Sequence, residues 1–465
     1  MAILLVLRGY IFGVQISMNK NKKLLWFGLG LGTQLQLIAS LSFTELFCFL
    51  ATPVLLPRLY PRMKKDGVVT LFVLSVMMVL GCSMSCLYNH TVGAFALRGH
   101  ALAAVVVCSI VVFYWLIRED PLGFRWYLIG YAISKILCTF IFQQTFEVQT
   151  YAGGMAGEGA VEGIMSGPIF WIGRLKPFVT WPTQAFYLHT PMWLDIVAFL
   201  FMGLFSILTT TSGRAAALMS FASILFVLLG RKHIRTMRII SRQFVLIVFL
   251  GIGFVFAAKM LYSVAATRGL LGNEARDKYE NQTKTGTGIM NLLMSGRAES
   301  FIGLFACFDS PLFGKGPWAM DTEGYTERFI LKYGAAEDIE FLERSRRDMA
   351  RYGMSPRLMM IPGHSHITML WLWFGLPGLV FILYCAFVLV RFLKDDCYII
   401  PQWFGWLTCA VPGLFWHICF SGFADRVGFP LFIVACLMAR AVRKGSFTLP
   451  PEVLMEIDNA ERRRR

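Results

Sequence analysis

Charge is what this 465-residue sequence has least of. Only 15% of its residues are Asp, Glu, Lys or Arg, whereas an ordinary soluble domain carries about 25%. The sequence also lacks the short patterns that anchor familiar chemistry. It has no GxxxxGK[ST] phosphate loop, no GxGxxG after a strand, no HExxH and no Asp-x-Asp pair, which removes P-loop, dinucleotide, zincin and metal-dependent nucleotide-sugar chemistry from consideration. It has no CxxC pair with zinc spacing. Most of its 11 cysteines lie inside apolar runs, where Cys acts as a small hydrophobe, so neither a disulfide framework nor a metal site is expected. Cys82 and Cys86 read simply as neighbours on one helix face.

What the sequence has is apolar length. Hydrophobic residues make up 56% of it, Phe alone numbers 41, and mean hydropathy is +0.60. Several apolar runs exceed about 18 residues, the length of a membrane-spanning helix. The runs are continuous rather than alternating, which argues against a transmembrane barrel. The reading is an all-α, polytopic helical membrane protein, and soluble Rossmann or TIM-barrel folds are excluded as its main body.

Candidate spans fall at 24–56 (two short helices broken near Ser40 to Ser42), 67–88, 96–117, 126–146, 193–211, 213–230, 243–263, 366–392, 401–420 and 426–442. A further short span within 177–192 satisfies the odd–even count and brings the total to about twelve. The domain reading is an N-terminal transmembrane bundle at 1–263, a loop domain at 264–363, C-terminal transmembrane helices at 364–442 and a basic tail at 443–465. The net charge of +16 is distributed as membrane topology requires, with no sign of nucleic-acid binding. Lys and Arg gather at 17–23, 57–66, 230–242 and in the tail, whereas the 264–363 insert balances 13 basic against 13 acidic residues. The positive-inside rule places the basic segments in the cytoplasm and the insert outside, in the periplasm. Within the insert, residues 326–352 mix apolar and charged positions at helical spacing and are expected to form one or two surface helices.

Four stretches could carry chemistry. In the run from Pro362 to Gly378, His364 and His366 stand at the outer mouth of a membrane helix, and Gly375 and Gly378 are spaced for close helix packing. A histidine at such a boundary can act as a general base, and a pair of polar residues capping an exposed helix end is the plainer alternative. Met294-Ser-Gly-Arg297 is followed by Pro311, Gly314 and Gly316, and an Arg in a glycine-containing turn can bind phosphate bidentately or be an ordinary surface charge. Thr209-Thr-Thr-Ser-Gly-Arg214 puts an Arg near membrane depth beside hydroxyls, as an anion site or a snorkelling side chain. Arg174-Leu-Lys176, in a Gly-rich outer loop, is the weakest of the four. Asp395-Asp396 reads as a solvated turn, and Glu45 as an unpaired intramembrane carboxylate or one at a wet helix break. Arginines with a histidine and no carboxylate cluster suit a diphosphate-bearing substrate presented from the membrane. The arginines would hold the departing diphosphate, and the histidine would take a proton from an attacking hydroxyl.

At these residues the sequence resembles the O-antigen ligase and polymerase superfamily. Members commonly show a His before a helix with glycines eleven and fourteen residues later, as His364, Gly375 and Gly378 stand here. They also show an Arg in a large periplasmic loop followed by a Pro and a G-x-G, as do Arg297, Pro311, Gly314 and Gly316, and a Thr-x-Ser-Arg-Gly-like element similar to Thr211-Ser-Gly-Arg214. The resemblance covers roughly residues 170–380. It implies an inner-membrane, inverting glycosyltransferase that transfers or polymerises an undecaprenyl-diphosphate-linked glycan onto a glycan or lipid-linked acceptor, with no cofactor and no metal. His364 and Arg297 would be catalytic, and Arg214, Arg174 and His366 would bind substrate. A lipid-linked oligosaccharide flippase or other transporter, and a scaffolding subunit of a secretion machine, are the competing classes.

Overall fold

The computed structural model describes residues 43–121, 298–333, 360–396 and 428–451 continuously, together with 36–38, 41–42, 414–419 and scattered single positions. The candidate spans at 126–146, 193–211, 213–230 and 243–263 and most of 401–420 lie outside these described residues, as do Arg174, Arg214 and Arg297. The described residues are mostly helical, and three of their helices are long and apolar enough to cross a membrane.

The apolar stretch at 24–56 is interrupted where its Ser residues predicted a break. β1 (Gln36–Ile38) pairs antiparallel with β2 (Leu41–Ser42), and α1 (Phe43–Asp66) follows at once. Helix α1 then runs straight through the basic segment at 57–66, which the sequence alone had presented as a loop. Pro53, Pro57 and Pro61 lie inside it. Four residues advance a helix by about 400°, so these prolines share roughly one face. All three are exposed, and the carbonyls they leave without an amide partner lie on the side where outside groups can reach them. Leu59, Met63 and Asp66 face the core instead.

α2 (Val69–Tyr88) and α3 (Gly93–Glu119) form an antiparallel pair joined by a short turn. At 20 residues, α2 spans about 30 Å, the thickness of a bilayer's hydrocarbon core. The insert contributes α4 (Ala298–Asp309) and α5 (Tyr325–Tyr333). α6 (His366–Arg391) is the third long apolar helix and ends in a π-helical turn, Phe392–Asp396. α7 (Gly428–Arg443) packs on α3 and α6. One apolar core joins all seven helices, and Phe447 and Leu449 beyond α7 are part of it. The tail expected to begin at 443 therefore starts with a segment folded back onto the bundle.

Two carboxylates are buried at one end of the bundle. Asp66, at the end of α1, pairs with Arg118 of α3 and accepts the Tyr114 hydroxyl at 2.6 Å. Arg118 also lies 5.1 Å from the ring centre of Phe447. Asp396 is only 1% exposed, with Arg443 Nε 2.8 Å from its Oδ1. The solvated turn expected at Asp395-Asp396 is thus half wrong: the backbone widens into a π turn that carries Asp396 inward to an arginine of α7.

Candidate functional site

The N-terminal end of α6 is built by the insert. Ile361 N donates to Ala319 O at 2.9 Å, and Met320 bridges Met360, so two arms of the insert run antiparallel into Pro362. Ser365 starts α6. Its extended backbone and its hydroxyl, accepting Thr368 N at 2.9 Å, make it the N-cap, which satisfies one of the helix's orphan amides. Helix α4 lies against this start, with Gly303 packed so closely that a Cβ there would stand 2.5 Å from Pro362 O.

The glycines expected to bring helices together do something different. Gly375 has φ +65° and breaks α6 in its middle. The groups freed by the break are taken by the insert: Leu372 O accepts Lys315 N at 2.7 Å and Gly316 N at 3.1 Å, and Leu376 N donates to Leu312 O at 2.9 Å. Irregular backbone at membrane depth is tolerated where protein satisfies it in this way. Gly314 also has positive φ, and a Cβ there would lie 2.3 Å from Leu372 O. The close helix contact comes from Gly81 of α2 instead, which abuts Phe374 O and Pro377.

The same loop is gripped on its other flanks. Trp371 Nε1 donates to Pro311 O at 2.8 Å. Asn89, in the α2–α3 turn, donates to Gly314 O at 3.2 Å and to Ser85 O at 2.8 Å. Tyr88 stacks on Phe313 at 4.7 Å. Trp318, with φ +53°, is held between Trp373 at 4.2 Å and Phe95 at 6.3 Å. Pro311, Gly314 and Gly316 of one sequence motif therefore sit directly on the helix that carries His364, Gly375 and Gly378 of another. A charged clip closes the loop beyond: Lys315 Nζ lies 2.6 Å from Glu323, and Tyr325 donates to the same carboxylate. The Lys315 hydrogen bond, then that of Tyr325, holds Glu323 below the usual carboxylate range. Burial first, and Glu323 second, push the Tyr325 phenol well above its ordinary value.

His364 and His366 point to different neighbours. His364, with 36% of its side chain exposed, places Nδ1 2.9 Å from Glu299 Oε2 on α4. A carboxylate only accepts, so Nδ1 carries the hydrogen and Nε2 is the nitrogen able to take a proton. His366 is buried at 3%. Its ring lies 5.9 Å from that of His417 and 5.2 Å edge-on from Phe429 of α7. Glu299 and His417 were not singled out from the sequence. Glu299 stands two residues after Arg297 in the motif that was singled out, a signal that could have been followed. His417 carried none. Comparison of the chain with protein-family models, with curated proteins and with solved structures finds no match.

Proposed function

We propose that this protein is an integral-membrane glycosyltransferase of the O-antigen ligase or polymerase type. It acts at the periplasmic face of the bacterial inner membrane on an undecaprenyl-diphosphate-linked glycan, passing it to a glycan or lipid-linked acceptor without metal or nucleotide sugar. The observation that carries this reading is the His364–Glu299 pair, half-exposed at the mouth of α6. A carboxylate that orients an imidazole leaves the second ring nitrogen set to accept a proton, the arrangement that general-base attack by a hydroxyl requires. In this reading His364 takes the proton of the acceptor hydroxyl as its oxygen attacks the anomeric carbon. The diphosphate leaves from the opposite face with inversion, held by Arg297 and Arg214, with Arg174 on the donor side; the substrate-binding role expected for His366 is dropped, because its ring is buried against Phe429.

The transporter reading would draw on the broken helix, since discontinuous helices line transport sites. Here Leu372 O and Leu376 N at the break are hydrogen-bonded to the insert, which favours a docking role for the break over a coordinating one. The deciding experiment is glycan transfer in membranes from cells expressing Arg297→Ala or Arg297→Lys. The proposal expects loss of product at normal protein levels with Ala and poor rescue by Lys, which lacks the bidentate fork. Full transfer by both variants would remove Arg297 from the chemistry, and undiminished lipid-linked glycan export without any transfer would favour the flippase.

A further inference from the structure

The pairing of α2 with α3 brings a third ligand to the two cysteines that the sequence left as bland neighbours. Cys82 and Cys86 stand one turn apart on α2, and His100 reaches them from α3. The two sulfurs and a ring nitrogen all lie within 4.8 Å of one another. Cys82 Sγ is 3.7 Å from His100 Nδ1. Zinc–sulfur and zinc–nitrogen bonds of about 2.3 and 2.0–2.1 Å in a tetrahedron separate S from N by roughly 3.5 Å and S from S by roughly 3.8 Å. The Cys82–His100 edge is already close to that of a filled site, and the others need at most about 1.3 Å of side-chain closure.

We propose that Cys82, Cys86 and His100 form a binding site for one zinc-class divalent ion that ties α2 to α3. The site is separate from the transfer chemistry proposed above and independent of it. His100 Nε2 lies 2.8 Å from Ser83 Oγ, which itself reaches Val79 O at 3.3 Å. In the metal-free ring Nδ1 holds the hydrogen against Ala96 O at 2.7 Å. On loading, the ring turns so that Nδ1 leaves Ala96 O and faces the two sulfurs, the hydrogen moves to Nε2, where Ser83 Oγ can accept it as its own hydroxyl turns to Val79 O, and the Nδ1 lone pair is given to the metal. A ligating histidine is commonly fixed by such a partner on its other nitrogen. Both thiols lose their protons to solvent on binding. Two thiolates, a neutral imidazole and a divalent cation sum to zero charge, which suits a site where Cys82 is fully buried in an apolar helix. Cys86 and His100 are half-buried, leaving a side for the ion to enter and a fourth position for water. Gly99 packs beneath the insert's Pro317, where a Cβ would stand 3.1 Å from Cys82 Sγ, so the filled site would brace the surface on which the insert sits.

The test uses the full-length protein, purified in detergent, reduced and stripped with a chelator. Titration with Co²⁺ alone should give a thiolate-to-cobalt charge-transfer band that saturates at one ion per chain and is displaced by Zn²⁺. The band should vanish in Cys82→Ser and Cys86→Ser, and apparent affinity should fall at least about tenfold in His100→Ala. A second measurement needs no variant: Zn²⁺ should protect Cys82 and Cys86 of the wild-type chain from maleimide labelling, read peptide by peptide. A band that persists in the double Cys82→Ser, Cys86→Ser variant would assign it to other cysteines and overturn the proposal. Equal labelling of Cys86 with and without Zn²⁺ would overturn it as well.

Discussion

Leu312 and Leu376 are joined across the break in α6: the amide of Leu376 donates to the carbonyl of Leu312 at 2.9 Å. One residue comes from the insert and the other from the middle of a long apolar helix. A hydrogen bond of this kind exists only while the insert is seated, so the shape of the membrane helix and the position of the insert depend on each other.

Gly375→Ala tests that dependence. The added Cβ would stand 2.2 Å from Leu312 O at a φ of +65°. Strain at such a site is of order 1–3 kcal/mol before any displacement of the loop. The purified variant should melt at a lower temperature, and its insert should be cleaved faster by protease. An unchanged melting temperature together with unchanged cleavage would mean that the loop contact is incidental.

The two histidines should separate kinetically. His364→Ala is expected to lower the transfer rate about 10²–10⁴-fold, the usual range for loss of a general base. Glu299→Gln, which keeps the shape and weakens the orientation, should cost less. His366→Ala should affect stability more than rate, because its ring is packed between His417 and Phe429. Collapse of the rate in His366→Ala with a near-normal His364→Ala would reverse the assignment.

Membrane orientation can be read directly. Reporter fusions at Lys232, within the basic segment 230–242, and at Lys284, within the charge-balanced insert, should report opposite sides of the membrane. If both report the same side, the placement of the insert fails.

The clip formed by Lys315, Glu323 and Tyr325 carries a sign for pH. The folded protein holds Glu323 below its ordinary value, so its contribution is complete above the unfolded pKa of about 4.3 and is lost as pH falls through the lowered folded value. Protection against hydrogen exchange across residues 315–325, corrected for the intrinsic pH dependence of exchange, should therefore be flat near neutrality and fall only in acid. Glu323→Gln should show lower protection near neutrality and converge with the wild type in acid, where Glu323 is protonated. A transition near pH 7 would require another group.

The buried carboxylate Asp66 depends on its partners. Among the described residues, Arg118→Ala would leave it with the Tyr114 hydroxyl, and removing one member of a buried ion pair commonly costs about 3–5 kcal/mol. A clear drop in melting temperature is expected, larger than that for Tyr114→Phe, which removes one hydrogen bond worth about 1–3 kcal/mol to a buried acceptor. Equal, small effects would mean that water reaches Asp66 easily.

Much of the local order was legible in the residues. The apolar runs at 67–88, 96–117, 366–392 and 426–442 became α2, α3, α6 and α7, and the break near Ser40 to Ser42 became a hairpin. Hydropathy and turn chemistry are properties of a few neighbouring residues, and a run of twenty apolar side chains needs no distant partner to favour a helix. The motifs around Pro311 and His364 were equally visible, because composition departs from the apolar background there. The basic segment at 57–66 misled, since a cluster of Lys and Arg beside an apolar run looks like a loop although it continues helix α1.

Tertiary structure alone decided how these pieces meet. No local pattern says that Asn89 reaches Gly314, 225 residues away, that Glu299 orients His364, or that His100 completes a cluster with Cys82 and Cys86. Nor does it say that Gly375 serves a docking loop rather than a neighbouring helix. Each of these depends on which helices pack together, and the packing is chosen by the sum of many weak contacts over the whole core rather than by any one segment. The sequence by itself determined the class of protein and, among the described residues, the positions of its long apolar helices. The pairing of reactive side chains awaited the folded chain, because proximity between distant residues is a property of the packed core.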